Sequence, residues 1–512
     1  MKILTANQLR TLDRLSGDTL TLMENAGTRV VETIEERFGN LDELQVYVLC
    51  GKGNNGGDGF VAARLLTERG CSPHVLLFAN EREIAGDAAI NLARLKQLGE
   101  SPIVIQSEAE WAGFGCEEEA ALVVDALLGT GLVRPVEGFY RTIIESLPVC
   151  FPEATVLSVD IPSGLSADGS KPVGPAVYAD LTVTFTALKP CLVFPPANGY
   201  AGDVVVVDIG NPPELIETPE HNLNLITTDL FPGVVHRRRE ETHKGDYGKA
   251  LIVGGSRGKS GAAAMAGQAA LRSGAGLVTV ATASNCLALV AATMPELMTE
   301  PLEETRSGTI ANTSIASLIV GKTVMALGPG LGMHPETQAF ARVAFAESAV
   351  PAILDADGLN AFIGAVEELR GTDQRPVVIT PHPGEMARLL GRDIAYVNEN
   401  RIDVAREFAS KRHVYVVLKG FRTVVAIPDG QVFINATGNP GMATAGMGDI
   451  LTGMLTGIIA QEGLGTFQER VLFAVYLHGL AGDRAADDIG EEPLVATDLL
   501  YYLGDAWEHI RE

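Results

Sequence analysis

Cysteine is scarce in this chain: six residues (Cys50, Cys71, Cys116, Cys150, Cys191 and Cys286) among 512, with no CxxC and no regular spacing. That argues against a disulfide framework and for buried thiols in a reducing compartment. Basic residues are also short. Lysine and arginine number 39 against 64 aspartates and glutamates, a net charge of −25. A general nucleic-acid binder needs a basic footprint, so that class is excluded, and docking on an anionic membrane is disfavoured. Long hydrophobic runs are missing too. Leu277 to Pro295, within the longest uncharged stretch, contains Ser284, Asn285 and several threonines, and reads as strand, turn and helix, not as a membrane span. The N-terminal MKILTANQLRTLDRL has no uninterrupted apolar segment and carries Asp13, which argues against a signal peptide. A cytoplasmic protein with small-molecule partners is expected.

What the chain does have is a globular composition, 46% hydrophobic and 20% charged. Its length suggests two to four domains, large enough to fold without staples. The 56 glycines fall in short clusters after apolar runs, as turns that approach ligands closely do.

Those runs are strand-like. In the first half they are 45–50, 73–79, 102–105, 121–127, 155–161, 181–187 and 203–209, with helical patterns at 5–16, 21–38, 59–69 and 86–98. Continuous apolar strands separated by helices predict a parallel sheet covered on both faces. The alternation pauses at about 210–245, where NPPELIETPEHNLNL shows no periodicity and VVHRRREETHKGDYG is charged. A domain junction belongs near residue 220. A second series follows at 249–255, 276–282, 323–328, 351–356, 376–380, 414–420 and 423–427, then a helical region from Gly448 onward. No repeat period relates the halves, so two different α/β domains are expected, 1–220 and 221–512.

In the first half, Gly51, Gly53 and Gly56 fit G-x-G-x-x-G after the first strand. The pattern alone suits a phosphate cradle or a plain tight turn equally. Asn54, Asn55 and Asp58 beside it, Asp125 at the end of 121–127, and Asp160 and Ser163 after 155–161 shift the balance. Each aspartate alone reads as a cap or turn former. Three polar strand ends on one parallel sheet meet at one edge, the usual crevice for ligands. Oxygens from Asn55, Asp125 and Ser163, with little formal charge, suit a monovalent hard cation. Asp160 is then a candidate general base.

NNGGDG, DALLGTG and SVDIPSGLSADG, in this order and spacing, resemble the YjeF N-terminal family, the NAD(P)H-hydrate epimerases, over about 5–215. The resemblance implies a Rossmann-like three-layer αβα domain. It implies that Asn54, Asn55, Gly56, Gly57 and Asp58, with Gly129, Thr130, Gly131, Leu132, Val133, Arg134 and Pro135, bind the hydrated nucleotide. It further implies that Asn55, Asp125 and Ser163 hold K+ and that Asp160 binds substrate and moves the proton.

In the second half, GGSRGKSGA lacks the first glycine of a Walker A motif, because Val253 stands there. The stronger signal is GNPGMATAGMGD, ending at Asp449 before an apolar helix. Small residues at a helix start make an anion hole from backbone N–H groups, and Asp449 could take a proton from an attacking hydroxyl. An ordinary capped core helix is the plainer alternative. The GxGD arrangement is similar to the ribokinase-like superfamily. With TPHPGEMARLLG, LDADGLNA, LGPGLG and LKGFRTVVA, the region 226–505 resembles the YjeF C-terminal family, the ADP- or ATP-dependent NAD(P)H-hydrate dehydratases. That resemblance implies that Gly332, His382, Pro383, Gly384, Glu385, Met386, Ala387, Arg388 and Asp449 contact the hydrate. It assigns the adenine nucleotide to Lys419, Gly420, Phe421, Arg422 and Thr423, and to Asn439, Pro440, Gly441, Met442, Ala443, Thr444, Ala445, Gly446, Met447 and Gly448. Mg2+ accompanies ADP or ATP, and Asp449 is the base. Asp355 and Asp357 read either as metal–water ligands or as helix caps.

The order of the halves implies a fused, two-activity repair enzyme for hydrated NADH and NADPH; a homo-oligomer is expected. The competing readings are a ribokinase-like vitamin kinase with a noncatalytic first half, a binding scaffold, and a dehydrogenase using Gly51, Gly53 and Gly56.

Overall fold

The computed structural model of the protein describes residues 1–115 and 117–511. Cys116, one of the thiols expected to be buried, lies outside them. Of the others, Cys50, Cys71, Cys191 and Cys286 are buried and Cys150 is half-buried. The chain divides into two compact units, Met1–Asn222 and Leu223–Glu512. Among the described residues no helix is long and apolar enough to cross a membrane.

The first unit holds seven strands: β1 (Val46–Cys50), β2 (His74–Leu77), β3 (Ile103–Val104), β4 (Leu122–Ala126), β5 (Thr155–Val159), β6 (Leu181–Phe185) and β7 (Asp203–Val207). They pair in the order β3-β2-β1-β4-β5-β6-β7, every pair parallel. Alternation along each strand sends its side chains to two cores. Val46, Val48 and Cys50 pack with helices Thr19–Phe38, Asn54–Glu68 and Gly86–Gln97. Tyr47 and Leu49 pack with Trp111 and with Ile143, Ile144 and Leu147 of helix Gly138–Cys150. Burial on both faces is why these strands read as unbroken apolar runs. The connections run one way from β1 to β3 and the other way from β4 on. The order therefore reverses between β1 and β4, and a crevice opens beyond their carboxyl ends.

The second unit adds β8 (Leu223–Leu225), β9 (Lys249–Val253), β10 (Leu277–Ala283), β11 (Met298–Leu302), β12 (Val324–Leu327), β13 (Ala352–Leu354), β14 (Val377–Ile379), β15 (Tyr415–Leu418), β16 (Val424–Ala426) and β17 (Val432–Ile434). Their order is β11-β10-β9-β12-β13-β14-β15-β16-β17-β8. The sheet is parallel from β11 to β15, antiparallel through β16 and β17, and parallel again at β8. Its reversal point lies between β9 and β12. Three strands, β8, β11 and β17, fall where the sequence reading has none. β11 carries Pro301, tolerated because it is an edge strand. β8 and β17 have three residues each, too few to show a period. β8 lies within the stretch that the sequence reading treats as irregular.

Helix Met447–Ile459 packs on helix Ser260–Arg272 through its glycines. A Cβ at Gly453 would lie 2.2 Å from the Ala266 carbonyl oxygen, and one at Gly457 2.2 Å from that of Ala270. On a free helix, glycine to alanine gains about 1 kcal/mol of propensity. Here the clash outweighs it, so Gly457→Ala should destabilise the protein by about 1–3 kcal/mol, as overpacked interiors do. Thermal unfolding that shows a variant as stable as the parent, or more so, would contradict this packing.

Candidate active sites

The crevice of the first unit is walled by the glycine turn after β1. A Cβ at Gly51 would sit 1.9 Å from the Leu127 carbonyl oxygen, and one at Gly56 2.0 Å from that of Gly51. The turn can thus lie against the loop leaving β4, and helix Asn54–Glu68 starts directly from it. Asn54 is exposed and Asn55 buried. The Asn55 side chain lies against Gly129, where a methyl group would come within 3.1 Å of its Cβ and 3.2 Å of its carboxamide. Its nitrogen is buried with no hydrogen-bond partner. In the loop Gly129–Pro135, Gly131, Val133, Arg134 and Pro135 are exposed.

Asp125, at the end of β4, is fully buried. It accepts from the Ser163 hydroxyl (2.6 Å), the Ser163 amide (2.8 Å) and the Ser158 hydroxyl (2.9 Å). Burial pushes its carboxyl up and these donors pull it back. Ser163 Oγ also stands 3.1 Å from the Leu128 carbonyl oxygen and accepts from the Leu128 amide at 2.8 Å. Asp125, Ser163, the Leu128 carbonyl and, after a 180° turn of its amide, Asn55 offer oxygen donors only. That donor set fits a monovalent hard cation. Among the described residues no group of three or more His, Cys, Asp or Glu could hold a metal.

Asp160 follows β5 in the left-handed backbone region (φ 67°). Its Oδ1 accepts from Lys189 Nζ at 2.5 Å, with the Thr184 hydroxyl at 3.3 Å. Lys189 is 1% exposed. Its other hydrogen bonds go to Thr184 Oγ1 (2.8 Å) and the Phe185 carbonyl (2.9 Å). The Asp58 carboxyl is pushed well above its usual range by burial, then by the charges of Asp160 and Asp13, against Lys189. Asp13 is pushed up chiefly by burial, and Asp160 adds to the shift. Three acids thus share one ammonium. Lys189, Ser158 and Asp13 were not singled out from the sequence. A lysine-proline pair after an apolar strand was the only signal for Lys189; for the other two there was none.

In the second unit the strand ends again carry the polar groups. Gly332 follows β12, and its amide donates to Asp357 (2.8 Å), which also meets Lys259 at 3.1 Å. Asp355 follows β13, is 1% exposed, and binds Lys419 Nζ (2.7 Å) and the Thr452 hydroxyl (2.8 Å). The two aspartates are therefore ion-paired. His382 caps helix Pro383–Leu390, and its amide donates to Glu385 at 2.8 Å. Glu385 lies 4.0 Å from Lys419. Burial opposes the charge on Lys419, but the Asp355 and Glu385 carboxylates raise it overall.

Asp449 lies in the first turn of helix Met447–Ile459, entered through Gly446 (φ 94°). Burial, then the charge of Asp355, pushes its carboxyl up to about 7, although Lys419 opposes the shift. A cavity of about 430 Å³ opens beside it. Lys419 to Thr423, Asn439, Pro440, Met442, Ala443, Met447 and Gly448 line it. Gly441, Thr444, Ala445 and Gly446 are not on its wall, nor are Gly332 and His382 to Arg388, which stand at the neighbouring strand ends. His478, absent from the sequence reading, also lines it. Burial pushes His478 down to about 4, and its ring nitrogen lies 3.1 Å from the Met447 carbonyl.

The NAD(P)H-hydrate dehydratase family matches residues 250–503, and the family of YjeF-related protein N-termini matches 19–191. A bifunctional NAD(P)H-hydrate repair enzyme from Moorella thermoacetica is 41% identical, covering 100% of this chain and 98% of its own length. The enzyme of that name from Thermofilum pendens is 40% identical over 100% of this chain and 97% of itself. The chain belongs to the bifunctional NAD(P)H-hydrate repair enzymes. Among solved structures, an ADP/ATP-dependent NAD(P)H-hydrate dehydratase from Bacillus subtilis, co-crystallized with ATP/Mg2+, is 32% identical. It covers 56% of this chain and 99% of its own, with a TM-score of 0.48. In this repair-enzyme chain both α/β units place their polar clusters at strand ends beside a sheet reversal.

Proposed function

We propose that the first unit interconverts the epimers of NADH and NADPH hydrated at C6, and that the second dehydrates one epimer at the expense of ADP or ATP. The observation that carries the reading is Asp449: a carboxyl whose pKa burial brings to about 7, at a helix start next to Gly448, which with Lys419 lines the cavity. It can accept a proton from the C6 hydroxyl as that oxygen attacks the terminal phosphorus. The bond from phosphorus to the bridging oxygen breaks, and AMP or ADP leaves. Amides at the start of the helix and Lys419 stabilise the transferring phosphoryl group. The C6–O bond then breaks with loss of a C5 proton, releasing phosphate and restoring the dihydronicotinamide.

Asn439 to Gly448 and Lys419 to Thr423 hold the nucleotide in this reading, and Gly332, His382 to Arg388 and Asp449 meet the hydrate. Mg2+ would accompany the nucleotide and offset charge on its phosphates. In the first unit, Asn54 to Asp58 and Gly129 to Pro135 cradle the hydrate. Asp160 assists ring opening or proton transfer, positioned by Lys189. Asn55, Asp125 and Ser163 would hold K+, whose charge would compensate the buried Asp125 carboxylate. The protein acts as a cytoplasmic homo-oligomer, a state that sedimentation would read directly.

Asp449 is competent only when ionised. Dehydration kcat/KM should therefore fall as pH drops below about 7, the value burial gives its carboxyl, and level off above it. Asp449→Asn should bind nucleotide and lose at least about 10²-fold in rate, a typical general-base contribution. A flat pH profile or an active variant would sink the assignment.

The epimerase half has its own readout. With Asp160→Ala, a mixture of epimers should be repaired to the end of one epimer and then stall, while Asp449→Asn should equilibrate both and repair neither. Chromatography of the two epimers over time decides this. Consumption of both at the parent's rate by Asp160→Ala would leave the first unit a binding module. For the cation, anomalous scattering from crystals grown in K+ should place one ion at Asn55, Asp125 and Ser163; a divalent ion or none there would remove that part of the reading.

A further inference from the structure

The charged stretch after the domain junction has no part in either reaction, yet it folds into the rim of a second cleft. This cleft, of about 740 Å³, lies wholly within the second unit and shares no residue with the cavity beside Asp449. Five arginines line it: Arg237, Arg238, Arg239, Arg272 and Arg511. In a chain of net charge −25 that concentration is out of keeping with the surface at large.

Two of the five are engaged by the protein. Arg238 lies over the Tyr247 ring, 3.7 Å from its centroid, and donates to the Gly274 carbonyl at 2.6 Å. Arg511 pairs with Glu508. The others are free or nearly so. Arg239 and Arg272 are exposed, and their side chains have no hydrogen-bond or ion-pair partner among the described residues. Arg237 is 84% exposed and reaches Glu508 only at 3.8 Å. The wall carries two carboxylates, and both are occupied: Asp246 accepts from the His243 amide at 2.8 Å, and Glu508 holds Arg511. The uncommitted charge in the cleft is therefore positive. Leu464, Leu503 and Trp507 give the wall an apolar part, beside the polar Thr242, Ser273 and Gln461, and the buried indole N–H of Trp507 has no acceptor.

We propose that this cleft binds a small organic phosphate, with Arg237, Arg239 and Arg272 on the phosphoryl oxygens and the apolar wall against the organic part. The guanidinium fork matches phosphate oxygens in pairs, which a point charge does not. The volume falls in the range of about 300–1,000 Å³ typical of small-molecule sites. The site is separate from the catalytic one. Met447 and Gly448 open the helix at the catalytic cavity, whereas Gln461 and Leu464 follow its far end, about 20 Å away at 1.5 Å per residue.

Phenyl phosphate is a suitable probe, because it joins a phosphate to a flat apolar group and is not a nucleotide. Titrated calorimetrically into the full chain, it should bind saturably and more tightly than inorganic phosphate. Arg239→Ala with Arg272→Ala should weaken it by at least about tenfold, the effect of losing charge-assisted hydrogen bonds. The same double variant should keep the parent's KM for ADP in hydrate dehydration, which also certifies its fold, and phenyl phosphate should not compete with ADP. Unchanged affinity in the variant, or competition with ADP, would overturn the site. Inorganic phosphate binding as tightly as phenyl phosphate would overturn the organic class. A fall in sedimenting mass of the double variant would assign the cleft to a second copy of the chain instead.

Discussion

In each unit an aspartate at the end of a parallel strand is paired with a lysine: Asp160 with Lys189 and Asp355 with Lys419. A carboxylate taken out of water without a cation would simply protonate or force the site apart. The pairing fixes the surroundings. Lys189 can reach Asp160 only because Thr184 and the Phe185 carbonyl take its other hydrogen bonds. Lys419 can hold Asp355 only because Thr452 takes the second carboxylate oxygen, which ties the strand end to the helix that carries Asp449. Breaking either pair would leave a buried charge uncompensated, at a cost of about 3–5 kcal/mol.

One lysine does not balance all the acids around it. Asp58 and Asp13 stand in the field of Asp160, and Asp449 stands in the field of Asp355. The neighbour that lacks a lysine partner of its own is pushed toward the neutral form. At the second site this leaves Asp449 near pH 7, where a carboxyl can both take and return a proton. The side chain of Lys419 is still 21% exposed, and it lines the cavity where phosphate would arrive. A cation already compensated by Asp355 and Glu385 can stay there when the nucleotide leaves.

The long apolar runs made the two α/β units readable in advance, because strands buried on both faces leave a continuous signal. The elements that escaped are those whose existence depends on distant partners. Leu223–Leu225 is a strand only because Val432–Ile434 lies beside it, more than 200 residues later. The polar strand ends were legible as Asp125, Asp160 and Ser163, and the helix start as Asp449, each next to a glycine-containing turn. Lys189 and Ser158 carry no such punctuation; Lys189 sits behind β6 and Ser158 inside β5. Asp355 was visible but ambiguous, since a capping and a ligating aspartate look the same until the lysine across the sheet is in place.

The backbone bends where these groups stand. Asp160 and Ala356, just after β5 and β13, both have positive φ, at 67° and 50°. Glycine would relieve that strain, which costs a non-glycine residue about 1–2 kcal/mol. At Asp160 relief would remove the carboxylate that Lys189 is built around. The strain at Ala356 falls between Asp355 and Asp357, which point to different lysines, Lys419 and Lys259. A regular strand or helix in this stretch would not aim two carboxylates two residues apart at separate partners. The unfavourable backbone is thus the consequence of placing charge at a strand end, and the strand end is where a parallel sheet leaves room for a ligand.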